Sequence, residues 1–262
     1  MRTVNMRICC ITLTALVSLF VQAIPSSDVY AGESLVPSRT TTPAIRPDNP
    51  DYDNHIVMWL EKYGRQIQQT RDMPESELLF VGDSITEHWP LAGYAPDIWQ
   101  QFYSDRKTIN VGSGGDRTEN ILWRLENGIL NEISPKLIVL LAGTNNTSRG
   151  DSPSAVVNGI EAIIHSIHRQ SSESKILLHA IFPRGKDKHD VKRVNNEKIN
   201  ALLAKRSKKY AFVDFTNINA QFLDSSGQLD KKIMPDLLHP SAKGYQIWAE
   251  AIENKIKFYL QE

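Results

Sequence analysis

Hydrophobic positions along this chain fall into two alternating kinds of run. Short apolar-rich stretches at residues 78–81, 108–111, 137–141, 176–182 and 210–215 have strand length. Each ends in Gly, Pro or small polar residues, the signature of strands buried on both faces. Between them, apolar residues recur three or four positions apart, as one face of a helix requires. Residues 54–69 place Ile56, Trp59, Tyr63 and Ile67 on one side. After residue 118, Ile121, Leu122 and Leu125 follow the same rule. Ser152-Pro153 opens a longer helix with Val156, Ile160, Ile163, Ile164 and Ile167 inward, since proline is favoured at the first helical position. Ile199, Leu202 and Leu203 mark another helix, and residues 241–259 a last one with Tyr245, Ile247, Trp248, Ile252 and Ile256. The aromatic group Trp89, Tyr94, Trp99, Phe102 and Tyr103 is expected mostly in the core. Strands alternating with helices imply parallel pairing through right-handed crossovers. The expectation is a three-layer α/β sandwich whose five-stranded parallel sheet has the flavodoxin-like order 2-1-3-4-5.

The N-terminus follows a different pattern. Arg2 and Arg7 precede an uncharged run from 8 to 27, apolar mainly to Ile24, with small residues suited to cleavage after Ala23 or Ala31. This layout is that of a secretory signal peptide, expected over residues 1–31. Interruptions by Thr, Ser and Gln weigh against an uncleaved anchor. No stable membrane span is then expected after cleavage, and the protein is expected outside the cytoplasm, secreted or periplasmic. Cys9 and Cys10 are the only cysteines, so a processed chain has none and carries no thiol chemistry. Residues 32–50 contain Pro37, Pro43, Pro47 and Pro50 and read as an extended linker, leaving 51–262 as the folded domain. The net charge of zero gives no support for nucleic-acid binding.

The chemistry-bearing residues lie where the apolar runs stop. Gly82-Asp83-Ser84 follows the first strand, Gly112-Ser113-Gly114-Gly115-Asp116 the second, and Gly143-Thr144-Asn145-Asn146 the third. In an open parallel sheet these carboxyl ends gather on one edge, where ligands bind. Asp236 and His239 lie just before the last helix, at a spacing that puts both side chains on one side of a turn. Together these residues suit acyl transfer. Ser84 is the candidate nucleophile, His239 its general base, and Asp236 the group that fixes the histidine tautomer. The backbone N–H groups of Ser84 and Gly115 and the side-chain amide of Asn145 are the candidate oxyanion donors. Each residue has a plainer reading alone: Gly115 a turn, Asn145 a loop shaper, Asp236 a helix cap, His239 a surface residue. Their joint placement on one sheet edge is what carries the assignment. Asp83 and Asp116 are expected to hold the loops by hydrogen bonds, and Arg184 either lines the cleft or is solvated. His165 and His168 stand three apart on a helix without an accompanying carboxylate or cysteine cluster, so no metal and no cofactor is expected.

These blocks resemble the SGNH (GDSL-type) hydrolase superfamily. Within it they look like the catalytic subunits of intracellular platelet-activating-factor acetylhydrolases and their bacterial relatives. The resemblance rests on Val81-Gly82-Asp83-Ser84, on residues 110–116 and 122–128, on Gly143-Thr144-Asn145-Asn146 and on Leu238-His239. It implies an esterase for short acyl groups, acetyl above all. It also implies an acyl pocket closed by the residues at Ile85, Thr144 and Leu238. Ile85 stands where many relatives have Leu, and the export signal is foreign to the intracellular enzymes. The expected substrate is therefore a small-molecule or carbohydrate ester, with phospholipid second. A lipase, lysophospholipase or thioesterase acting on longer chains, and a non-catalytic surface-binding module, are the alternatives.

Overall fold

The computed structural model describes residues 38–46 and 55–262. The signal peptide expected over 1–31 lies outside the described residues. Among the described residues no helix is long and apolar enough to cross a membrane.

Five strands form the sheet: β1 (Leu78–Gly82), β2 (Thr108–Asn110), β3 (Leu137–Leu141), β4 (Lys175–His179) and β5 (Val213–Thr216). All pair in parallel in the order β2-β1-β3-β4-β5, as the alternation of patterns predicts. The strand side chains alternate between two cores, following the two-residue period of a strand. Leu79, Val81, Ile138 and Leu140 face one cluster. Leu78, Phe80, Leu137, Val139 and Leu141 face the other. The first face is covered by α4 (Thr118–Arg124), α6 (Pro153–Gln170) and α7 (Val191–Arg206), which contribute Ile121, Ile160 and Ile199. The second takes α3 (Pro96–Tyr103) and α8 (Ala242–Leu260), with Tyr103, Tyr245, Trp248 and Ile252 inward. Trp89 and Tyr103 are fully buried here, while Tyr94, Trp99 and Phe102 pack at its margin.

Helix ends follow local chemistry. Ser152 caps α6 through its hydroxyl with Pro153 at the first turn, and Ser241 caps α8. The first helix, α1 (His55–Asp72), buries Trp59 and lays Tyr63 and Ile67 against the first core.

Two strands end differently from the apolar pattern. β4 stops at His179 instead of running to 182. Amides from α7 take over beyond it: Asn200 bonds both the N–H and the carbonyl of Ile181, at 2.7 and 2.9 Å, and Asn196 donates to Phe182 O at 3.1 Å. β5 starts only at Val213, because Tyr210 closes a 3-10 turn whose hydroxyl lies 2.9 Å from His165 Nε2.

The described part of the expected linker is docked on the domain. Thr118 donates to Thr40 O at 3.0 Å, Ala44 N to Glu119 O at 3.1 Å and Asn120 to Ala44 O at 3.0 Å. Thr40 is buried.

Candidate active site

The carboxyl ends of β1, β2 and β3 converge as the sheet order requires. Gly82, the last residue of β1, lies in register with Leu141, the last of β3. Asp83 then caps the short helix α2 (Ser84–Glu87) by accepting Ile85 N at 3.0 Å, which turns Ser84 onto the sheet edge. Ser84 Oγ is 2.9 Å from His239 Nε2, and His239 Nδ1 is 2.6 Å from Asp236 Oδ2. With the proton on Nδ1 donated to Asp236, Nε2 is left to accept the Ser84 proton.

The turn that presents His239 is built by the same carboxylate. Asp236 Oδ1 accepts the backbone N–H of Leu238 at 3.0 Å and of His239 at 2.7 Å. Leu237 between them takes φ +62°, a left-handed conformation that disfavours a residue with a Cβ. Gly185 N, after β4, donates to Leu237 O at 2.9 Å and anchors the turn to the sheet. Burial raises the Asp236 pKa, but bonds from the His239 ring and backbone outweigh that and leave it below the usual carboxylate value.

On the other side of Ser84 stands the loop after β2. Gly115 has φ +77°, which glycine adopts without strain. Asn145 follows β3 in α5 (Thr144–Arg149) and donates from Nδ2 to Asp116 O at 2.9 Å. That bond fixes the amide beside the Gly115 loop and uses only one of its two N–H groups. Asp116 itself is fully buried and accepts from Trp59 Nε1 at 2.7 Å and Arg124 Nε at 2.8 Å. Burial pushes the Asp116 carboxyl up, against the opposing pull of Arg124 and Trp59. Asp83 is also fully buried, and its pKa is pushed up to about 7, chiefly by burial, with the Ile85 N–H opposing.

The candidate acyl-pocket residues differ in burial. Ile85 is in the second core, Leu238 packs against that core, and Thr144 is buried. Arg184 is held against α5, donating to Thr144 O at 3.1 Å, Thr144 Oγ1 at 3.0 Å and Ser148 Oγ at 2.6 Å. His165 and His168 are not brought together as a pair: the first meets Tyr210, the second stacks on Phe212 at 3.9 Å.

Several site neighbours had no role in the sequence reading. The His88 ring lies 5.0 Å from His239 and stacks on Tyr94. Its pKa is lowered by burial first and by the His239 charge second. Arg124 is buried on α4 together with the polar residues Thr118, Glu119 and Asn120, so the hydrophobic pattern gave no sign that it is internal. Asn146, adjacent to Asn145, donates to Asp151 Oδ2 at 3.0 Å and accepts from Thr118 N at 3.0 Å, joining α5 to α4.

Comparison with known proteins bears on the family and the fold. The sequence profile of the GDSL-like Lipase/Acylhydrolase family matches residues 80–247. Platelet-activating factor acetylhydrolase IB subunit alpha2 of Rattus norvegicus is 35% identical over 204 residues, covering 78% of this chain and 86% of that protein. Among solved structures, a GDSL-like lipase from Bacteroides thetaiotaomicron superposes with a TM-score of 0.61 at 20% identity, covering 75% of this chain and 97% of that one. A variant of an acetyl-xylooligosaccharide esterase from Geobacillus gives 0.57 at 17%, covering 71% and 94%. At such identities the two structures speak for the fold.

Proposed function

Because the chain belongs to the GDSL-like lipase/acylhydrolase family and is an ester-hydrolysing enzyme, we propose that it is an exported serine esterase removing short acyl groups, acetyl first, from carbohydrate esters. The observation that carries the catalytic part is the continuous hydrogen-bonded chain from Ser84 Oγ through His239 to Asp236.

In this mechanism Ser84 Oγ attacks the ester carbonyl while His239 Nε2 takes its proton. The carbonyl oxygen becomes an oxyanion held by the N–H groups of Ser84 and Gly115 and by Asn145 Nδ2. A donor of this kind is worth about 3–4 kcal/mol in related chemistry. Collapse of the tetrahedral adduct breaks the C–O bond, and His239 returns the proton to the leaving alcohol. A water molecule, deprotonated by His239, then attacks the acyl-Ser84 ester, and the acid leaves as His239 returns that proton to Ser84 Oγ. Asp236 keeps its negative charge throughout and stabilises the imidazolium.

Acetyl preference is supported by Ile85 and Thr144, both buried and β-branched, which cannot swing aside for a long chain. It is also supported by the acetylhydrolase activity in the name of the similar rat protein. The carbohydrate part rests on the export signal read over residues 1–31, since an exported enzyme meets acetylated glycans. The test is a panel of acetylated saccharides and of p-nitrophenyl esters of rising chain length, with the chain lacking 1–31. Acetate release from saccharides, with acetyl the fastest of the p-nitrophenyl series, is expected. An optimum at eight carbons or longer favours the lipase-like alternative.

A further inference from the structure

Arg46, in the strap at residues 38–46, reaches the candidate oxyanion loop. Its Nη1 donates to Gly114 O. Its guanidinium also lies over Gly115, so that a Cβ there would meet Nη2, Cζ and Nη1 before any other group. Gly114 C=O and Gly115 N–H are the two ends of a single planar peptide unit. A cationic donor on that oxygen fixes the plane in which the Gly115 N–H points. It also polarises the N–H, since hydrogen bonds in a chain strengthen one another. The preceding peptide is held as well. Gly114 N donates to Glu87 Oε2 at 2.5 Å, and Glu87 pairs with Lys62 of α1. Glu87 closes the short helix that begins at Ser84, so this bond ties the Gly114 loop to the nucleophile's own element.

We propose that Arg46 is a positioning residue for the oxyanion hole, aiming and polarising the Gly115 N–H through the carbonyl of the same peptide. The strap that precedes the α/β sandwich thus belongs to the active site. This inference rests on the assignment of Gly115 as an oxyanion donor. It carries a specific expectation: the contribution of Arg46 appears with a neutral acetyl ester, where no substrate anion is present to bind the guanidinium.

The experiment measures kcat and KM of the wild type, Arg46→Ala, Arg46→Lys and Ser84→Ala on p-nitrophenyl acetate, with and without millimolar guanidinium ion. Arg46→Ala is expected to lower kcat by about 10- to 100-fold, less than deletion of a donor outright, with KM nearly unchanged. Guanidinium ion should restore part of the Arg46→Ala loss and leave the wild type unaffected, and Arg46→Lys should fall between. A wild-type kcat in Arg46→Ala, or a loss confined to KM, overturns the proposal. So does a loss that guanidinium leaves untouched. Should Arg46→Ala fail to fold, Arg46→Lys and Arg46→Gln carry the same comparison, graded kcat at constant KM supporting the proposal and unchanged kcat refuting it. Ser84→Ala separates the two levels. If it remains active, the mechanism falls. If it is inactive while the Arg46 variants match the wild type, only the role of Arg46 falls.

Discussion

Replacing Arg124 by Met removes one cation from the interior, and its cost follows from what the guanidinium touches. The Arg124 side chain is 2% exposed and that of Asp116 0%. Besides Asp116, Arg124 donates to Val111 O at 2.7 Å, Gln66 Oε1 at 3.1 Å and Gly82 O at 3.3 Å. One side chain therefore joins the ends of β1 and β2 to α1 and to the loop carrying Gly115. In Arg124→Met the Asp116 carboxylate keeps Trp59 as its side-chain donor, and four acceptors, Asp116 Oδ2 among them, lose a partner. Breaking one side of a buried pair costs about 3–5 kcal/mol. Against a total of about 5–15 kcal/mol the loss is large. At about 2–4 °C per kcal/mol for a domain of this size, the thermal midpoint should fall by roughly 6–20 °C. Urea denaturation followed by tryptophan fluorescence gives the free energy directly. The double variant with Asp116→Asn should recover part of the loss, because the stranded charge is gone. A cost below about 1 kcal/mol for Arg124→Met, or additivity of the two substitutions within about 0.5 kcal/mol, would mean that no stranded charge sets the loss.

Three further outcomes are expected. Asp236→Asn should keep its circular dichroism, since the amide oxygen still accepts the N–H groups of Leu238 and His239, yet lose roughly 10³- to 10⁴-fold in kcat through the wrong His239 tautomer; full activity would remove Asp236 from the mechanism. Leu238→Ala should narrow the preference for acetyl over butyryl p-nitrophenyl esters, each newly accommodated methylene being worth about 0.8 kcal/mol; an unchanged ratio would place the acyl wall elsewhere. Asp83, raised from 3.8 to about 7, contributes stability that is full below pH 3.8 and drains away as pH rises toward 7. Asp83→Asn should therefore gain on the wild type between pH 4 and 7 in urea titrations, and a pH-independent difference would contradict the buried-carboxyl account. The fully buried His179, lowered from 6.5 to about 3, acts in the opposite sense in both proteins, its stability being lost as pH falls from 6.5 toward 3.

Much of this was legible in the sequence because it depends on local periodicity. Leu137 to Leu141 and the isoleucines of α6 are buried where their spacing places them. The parallel sheet followed from the alternation of strand and helix, and with its order the placement of Ser84, Gly115 and Asn145 after the carboxyl ends of β1, β2 and β3. The parts that were not legible depend on long-range partners. Residues 38–46 have the composition of a linker and are ordered by carbonyls and hydroxyls shared with α4, which no local pattern announces. Arg46 therefore carried no signal, and neither did the left-handed Leu237, whose conformation is imposed by Asp236 on one side and Gly185 on the other. β4 ended early because Asn196 and Asn200 of α7 satisfied backbone groups that an apolar run alone assigns to a neighbouring strand.

Ser84 is assigned as a nucleophile activated by His239, and covalent labelling probes that assignment at the reacting atom. An alkyl p-nitrophenyl phosphonate transfers its phosphonyl group to an activated serine with loss of p-nitrophenolate, and intact mass followed by peptide mapping locates the adduct. One label per chain is expected on Ser84, none in Ser84→Ala, and much slower labelling in His239→Ala. A label on another residue, or Ser84 labelled at the wild-type rate without His239, would contradict that assignment.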